Sequence, residues 1–174
     1  MMDQASIERA LRKATEEVFS TMLGIQAVAV AARIETGEPG PNDGIIGMVG
    51  LAGAWIGTAV VCCSTSMACQ MSAQMFGGEF TEVNEEVLDA LSEITNMIVG
   101  HFKTQAEAHL GPLGLSIPTV IYGFRFTART SGREKWVALS FDCAGEMVEV
   151  KICLTPNSAL PRLGTAGYSR SSHN

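Results

Sequence analysis

Asp89, Glu93 and Asn96 are spaced four and then three residues apart in the run NEEVLDALSEITNMIVGHFKTQAEAHLG, which spans Asn84 to Gly111. On a helix, at roughly 100° per residue, all three project from one side together with Gly100. Each carboxylate can accept a charge-assisted hydrogen bond from a cation. An amide both donates and accepts, so Asn96 could fix the orientation of a water molecule without acting as a base. Gly100 leaves space beside these groups. No nucleophile and no metal-ligand set accompanies them, so they make a poor self-sufficient hydrolase and a plausible insert into another protein's active site. On spacing alone, the simpler reading is an ordinary solvated helix face.

The element that must carry them is well specified. The run has no proline, Asn84 can cap it, and Glu85 and Glu86 sit in its first turn, where carboxylates favour the helix dipole. Val87, Leu91, Ile94, Ile98 and Phe102 form an apolar stripe opposite the polar face, flanked by Leu88, Thr95 and Val99. Upstream, Asp3 to Leu23 predicts a capped opening helix that stops at Gly24. Gln26 to Ile34 predicts a buried strand, and Thr36 to Gly44 a loop. The nineteen uncharged residues from Ile45 to Cys63 could be read as a transmembrane helix. No Lys or Arg flanks either end, and Gly47, Gly50, Gly53 and Gly57 interrupt the stretch. Two strands, Ile45 to Leu51 and Trp55 to Cys63, fit it better, joined by a turn at Ala52-Gly53-Ala54. Ser64-Thr65-Ser66 opens a short helix, Met67 to Phe76, whose Met67, Met71 and Met75 read as core filler.

After the long helix, Leu115 to Phe126 predicts one strand that begins near Pro118, since proline belongs at a strand start or edge. Lys135 to Cys143 and Glu146 to Leu154 alternate apolar and polar residues, with Ala144-Gly145 as a two-residue hairpin loop. The end, Pro156 to Asn174, is polar and predicts a disordered tail. The expected organisation is one domain over residues 1–156 followed by the tail 157–174.

Composition sets bounds on partners and compartment. With 47% hydrophobic and 17% charged residues the chain is built to bury a core rather than stay disordered. A formal net charge of −6 without any Lys/Arg cluster argues against a nucleic-acid surface. Met1 to Leu23 lacks the apolar stretch of a signal peptide, so a cytoplasmic protein is expected. Cys62, Cys63, Cys69, Cys143 and Cys153 include no C-x-x-C pair, and small core residues are their simplest role. His101 and His109 lie eight apart without H-E-x-x-H spacing, which disfavours a metal site. No P-loop, G-x-S-x-G or dinucleotide fingerprint is present.

The run Asp89-Ala-Leu-Ser-Glu93-Ile-Thr-Asn96-Met-Ile-Val-Gly100, followed by Leu115-Ser-Ile-Pro118-Thr-Val-Ile-Tyr-Gly123, resembles the CheX/CheC/FliY family of chemotaxis phosphatases. The family's signature is Asp, three residues, Glu, two residues, Asn, and then a proline a little over twenty positions on. Here 21 residues separate Asn96 from Pro118, one fewer than usual, a difference that a loop absorbs. The chain carries one such helix where the CheC branch carries two, so the likeness is to CheX, and it covers all but the two ends.

That resemblance implies an α/β (α+β) single domain with a largely antiparallel sheet covered by helices. It implies a phosphatase that hydrolyses the aspartyl phosphate of a CheY-like response-regulator receiver. Asn96 would position the water, and Glu93 would pair with the receiver's active-site lysine. Asp89 would support the face, and Pro118 would shape the neighbouring surface. From the spacing alone, Lys103, seven residues past Asn96, could flank the same face beyond Gly100 and contact a partner's acidic rim, or be a plain solvent lysine. Mg²⁺ would come with the receiver, and this chain would bind no cofactor. The likeness also implies a homodimer, for which the strands at 135–143 and 146–154 offer candidate edges. The rival reading is a non-catalytic receiver-binding or flagellar-switch adaptor, which would have no need of a water-orienting amide at position 96.

Overall fold

The computed structural model describes residues 3–36, 42–126 and 135–158. In chain order its elements are α1 (Gln4–Val18), β1 (Ala27–Thr36), β2 (Asn42–Gly53), β3 (Trp55–Cys63), α2 (Thr65–Phe76), α3 (Glu85–Leu110), β4 (Leu113–Leu115), β5 (Thr119–Phe126), β6 (Lys135–Cys143) and β7 (Glu146–Pro156). A π-helical turn, Phe19–Leu23, extends α1, and Gly24 ends it in the left-handed conformation. The opening helix therefore stops being α-helical one turn earlier than its sequence predicts.

Period-two alternation builds the sheet. β2 and β3 form one antiparallel hairpin, in register from Ile45 opposite Cys63 to Leu51 opposite Gly57. β6 and β7 form a second, closed by Ala144 and Gly145, both at positive φ, with the Gly145 amide donating to Asp142 Oδ1 at 2.8 Å. Positive φ at both loop positions matches the right-handed twist of the strands they join. β3 pairs with β7, so the hairpins fuse into a seven-stranded antiparallel sheet ordered β1-β6-β7-β3-β2-β4, with β5 also paired to β2. The uncharged run 45–63 is thus a strand pair in the middle of a sheet. Among the described residues no helix is long and apolar enough to cross a membrane.

Three expectations about strands are corrected. The single strand from Leu115 to Phe126 is two, because β4 ends before Ser116 and β5 starts after Pro118. Pro118 has no N–H to donate, and Ser116 turns back on Gly50 instead, donating its amide to the Gly50 carbonyl at 2.9 Å. The strand after Gly24 is not buried but lies at the sheet's edge, where Val28 and Val30 are exposed. And β6 and β7 are interior strands with neighbours on both sides, so neither supplies the free edge expected for pairing between subunits. In each case the strand's own sequence is apolar enough, while its neighbours are set by distant segments.

The three helices cover one face of the sheet. α1 packs on β1 and β6, α2 on β7 and β2, and α3 across β2, β3, β4 and β5. Between the layers lies a core that includes Phe19, Met67, Met71, Leu91, Ile98, Phe102, Phe141 and Val150. Met67 and Met71 are buried and Met75 is half-buried, as core filler should be. The opposite face has a smaller apolar cluster of Ile46, Val60, Trp136 and Cys153. Beside it Arg33, Glu35, Glu149 and Lys151 form an ion-pair network, with Lys151 Nζ 2.9 Å from Glu35 and 2.6 Å from Glu149. At the C-terminal end Asn157 donates to the Ala54 and Gly53 carbonyls, at 2.9 and 3.0 Å, which ties residue 157 to the folded domain. Residues 159–174, where a disordered tail is expected, lie outside the described residues, as do 37–41 of the expected 36–44 loop.

Candidate functional site

α3 is held at both ends by the means its sequence provides. Asn84 Oδ1 accepts from the Val87 amide at 3.0 Å, and Gly111 closes the helix with a positive φ while its amide donates to the Glu107 carbonyl. The stripe of Val87, Leu91, Ile94, Ile98 and Phe102 is fully buried against the sheet, with Thr95 and Val99. Burying that stripe fixes the rotation of the helix, and rotation decides which residues face outward.

Outward lie Asp89 and Glu93, both exposed, with Asn96 and Gly100 half-buried beside them. Asn96 is therefore more enclosed than Glu93, though it is not in the core. One helical turn separates them, which puts their Cβ atoms about 5–6 Å apart. Among the described residues the side chains of Asp89, Glu93 and Asn96 make no hydrogen bond or ion pair. A Cβ added at Gly100 would meet nothing within 4 Å, so the face is open there. The carboxylates and the amide are thus oriented by the helix alone and free to engage an external group.

Lys103 is placed differently from the others. Its Nζ lies 3.2 Å from Glu107 Oε1 one turn on, and Glu107 also accepts from the Leu113 amide at 2.9 Å. That backbone hydrogen bond, with help from Lys103, holds the Glu107 carboxyl below its ordinary range. Lys103 is committed to stitching the helix end to β4 and is less available to a partner than its sequence position suggests. Pro118 is half-buried between β4 and β5, just before a strand that α3 packs against, and the neighbouring Ile117 is 86% exposed. Ser116, which the sequence did not single out, fixes this segment: its Oγ accepts from the Gly50 amide at 2.8 Å and donates to the Ile117 carbonyl at 2.9 Å. Its only signal was a hydroxyl two residues before a proline.

Other chemistries find no site. Among the described residues no three His, Cys, Asp or Glu side chains come together to hold a metal. His101 Nδ1 faces Glu17 of α1 at 3.5 Å. All five cysteines are free, and four are buried. Burial pushes the Cys62 and Cys143 thiols up to about 12 and raises Cys63 and Cys69 as well, so none of these four is a ready thiolate nucleophile.

Comparison with known proteins gives this arrangement its context. The family model of chemotaxis phosphatase CheX matches residues 45–142, from β2 to the end of β6. The CheY-P phosphatase CheX of Thermotoga maritima is 28% identical over 127 residues, covering 68% of this chain and 77% of that protein. Among solved structures, the chemotaxis protein CheX of Desulfovibrio desulfuricans superposes with a TM-score of 0.74 at 25% identity, covering 86% of this chain and 99% of the other. The CheX of Borrelia burgdorferi, solved as a complex with CheY, BeF3 and Mg²⁺, shares the fold with a TM-score of 0.70 at 23% identity, covering 88% and 99%. With more than half of its length matched by the family model, the chain belongs to the chemotaxis phosphatase CheX family.

Proposed function

We propose that this chemotaxis phosphatase works by inserting the outer face of α3 into the active site of a phosphorylated CheY-like receiver and positioning the water that hydrolyses its aspartyl phosphate. The observation that carries the reading is the uncommitted polar face of Glu93 and Asn96, held rigidly by a buried stripe and open at Gly100. In the reaction a water oxygen bonds to phosphorus and the bond from phosphorus to the aspartyl oxygen breaks. Inorganic phosphate leaves and the receiver's carboxylate is restored. Asn96 would hold that water in line by accepting one of its protons in a hydrogen bond and donating to its oxygen. Glu93 would dock by a charge-assisted bond to the receiver's lysine and so set the register of insertion. Asp89 would support the face, and Pro118 would shape the surface beside it.

The chemistry is divided between two molecules. Mg²⁺ carried by the receiver neutralises phosphoryl oxygens, while this chain contributes position. Because phosphoryl transfer depends on positioning and charge stabilisation, one well-placed amide suffices for a large effect. With such a partner the protein would work in the cytoplasm. The same reading carries a homodimer, for which an outer strand such as β1 rather than β6 or β7 is an available edge: among the described residues β1 pairs with β6 alone, as β5 does with β2. The test is to mix the purified chain with phosphorylated receivers from the same genome. Accelerated loss of phosphate from one of them is expected. Tight binding without any acceleration would favour the adaptor reading, and no response from any receiver would contradict both.

A further inference from the structure

Gly47 occupies an unusual place for a glycine. It sits in the middle of β2, paired with Val61 of β3 on one side and Val120 of β5 on the other. A glycine there weakens a strand and often marks a close approach by another element. Its backbone is not in the left-handed region, so conformation does not require it. What requires it is α3. A Cβ built on Gly47 would lie 2.0 Å from Thr95 Oγ1, 3.0 Å from Thr95 Cβ and 3.2 Å from Thr95 Cγ2. All three nearest atoms belong to one side chain, and that side chain stands between Glu93 and Asn96 in the sequence.

Thr95 has little room to yield. It is fully buried, β-branched, and its hydroxyl donates to the Leu91 carbonyl at 2.7 Å. Were a methyl present at position 47, α3 would have to lift from the sheet by about 1 Å to restore ordinary contact. Gly57, Gly53 and Gly44 also leave no room for a Cβ, which would lie 1.9, 2.3 and 2.4 Å from the carbonyl oxygens of Cys153, Pro112 and Cys63, but those atoms are backbone outside α3. A Cβ at Gly50, three residues along the same strand, would stand 3.4 Å from Ser116 Oγ, an ordinary contact.

We propose that Gly47 and Thr95 form a seat that sets the height of α3 on the sheet and thereby positions Asn96 for the attacking water. Neither touches the substrate; both act through the neighbouring amide. The inference rests on the function proposed above for Asn96. It goes further by assigning the site's precision to a strand glycine outside the helix, because displacement of a positioning group by about 1 Å can cost about 10²-fold in rate.

The experiment is single-turnover decay of a phosphorylated receiver with each variant in saturating excess, alongside receiver affinity, circular dichroism and melting of the free chain. Gly47→Ala should slow the step about 10–100-fold while Gly50→Ala keeps the parent rate. In an Asn96→Ala background Gly47→Ala should slow it no further, which a general loss of stability would not reproduce. Adding Thr95→Ala to Gly47→Ala should recover part of the rate, since the atom at 2.0 Å is then gone. Should Gly47→Ala fail to fold, Thr95→Val and Thr95→Ile read the same seat from the helix side: Val keeps its shape and the rate, and Ile overfills it and slows the step tenfold or more. Full rate in a folded Gly47→Ala, losses that add to those of Asn96→Ala, or equal rates for Val and Ile would each overturn the proposal while leaving the function of Asn96 standing. A parent chain that accelerates no receiver would instead remove the function itself, and the seat with it.

Discussion

A carboxamide can hold a water molecule from two sides, and a carboxylate one turn away can hold a cation; the two residues have separable tasks. In the proposed mechanism Asn96 would act on rate, because its contacts to water matter most when the water is in line. Glu93 would act on docking, because its charge would meet a lysine whether or not the bond is breaking. Glu93→Lys should therefore weaken receiver binding by tenfold or more, as one cation then faces another, and a fluorescence anisotropy titration would register it. Affinity equal to the parent's would remove Glu93 from the interface. Lys103 offers the contrast. Its partner is Glu107 on its own helix, a half-exposed i,i+4 pair of the kind that adds little to stability. Lys103→Ala should leave the dephosphorylation rate within about twofold and barely move the midpoint of a denaturant titration.

At the scale of elements, the long helix is where local signals and tertiary packing agree. Its cap, its stripe and its terminal glycine are all read from consecutive residues, and each appears where the sequence puts it. Asn84→Ala should cost about 1 kcal/mol by leaving the Val87 amide without its acceptor, measurable as a lower denaturation midpoint with an unchanged slope. The strands are different. The alternation in β6 and β7 and the uncharged run of β2 and β3 reveal strands and the hairpins that join them. They do not reveal that β3 pairs with β7, since that contact spans some ninety residues of chain. For the same reason Val28 and Val30 look like core residues and turn out to be at an edge, and Ser116 looks unremarkable until Gly50 is beside it. The helix and its outward face were legible because both are local. The seat beneath them was not, because Gly47 and Thr95 meet only after the sheet has formed.

For the whole molecule, two features govern behaviour in solution. The first is the network on the face opposite the helices. Burial works against the charge of Glu35, yet its bonds to Lys151 and Arg33 outweigh that and hold its carboxyl below its ordinary value of 4.5. A carboxyl depressed on folding adds stability that is present above 4.5 and lost as the pH falls through its folded value. For Lys151 burial also opposes the charge, and bonds to Glu149 and Glu35 raise it above 10.5, so its contribution is complete below 10.5 and lost as the pH rises through the folded value. Lys151→Ala should destabilise the chain by about 1–3 kcal/mol near neutral pH and flatten the loss of stability in acid, as followed by urea unfolding across pH. The second is the β1 edge. This strand has exposed Val28 and Val30 near its start and one strand neighbour among the described residues, and its charges, Arg33 and Glu35, lie toward its other end. If it pairs across a two-fold axis, Val30→Pro should shift the mass from dimer to monomer in sedimentation velocity at micromolar concentration, and a parent that is already monomeric there would contradict the pairing. Neither feature brings the receiver in. At a net charge of −6 the chain gains no long-range attraction to an acidic partner, so in the proposed mechanism recognition would depend on the fit of α3 itself.

The central claim is tested most directly by the decay of phosphoreceiver in a single turnover, with Asn96→Ala in excess and Mg²⁺ present, set beside its affinity for the same receiver. Positioning by Asn96 predicts a rate lower by about 10²-fold or more with an affinity close to the parent's. An Asn96→Ala chain that removes phosphate as fast as the parent would contradict the account.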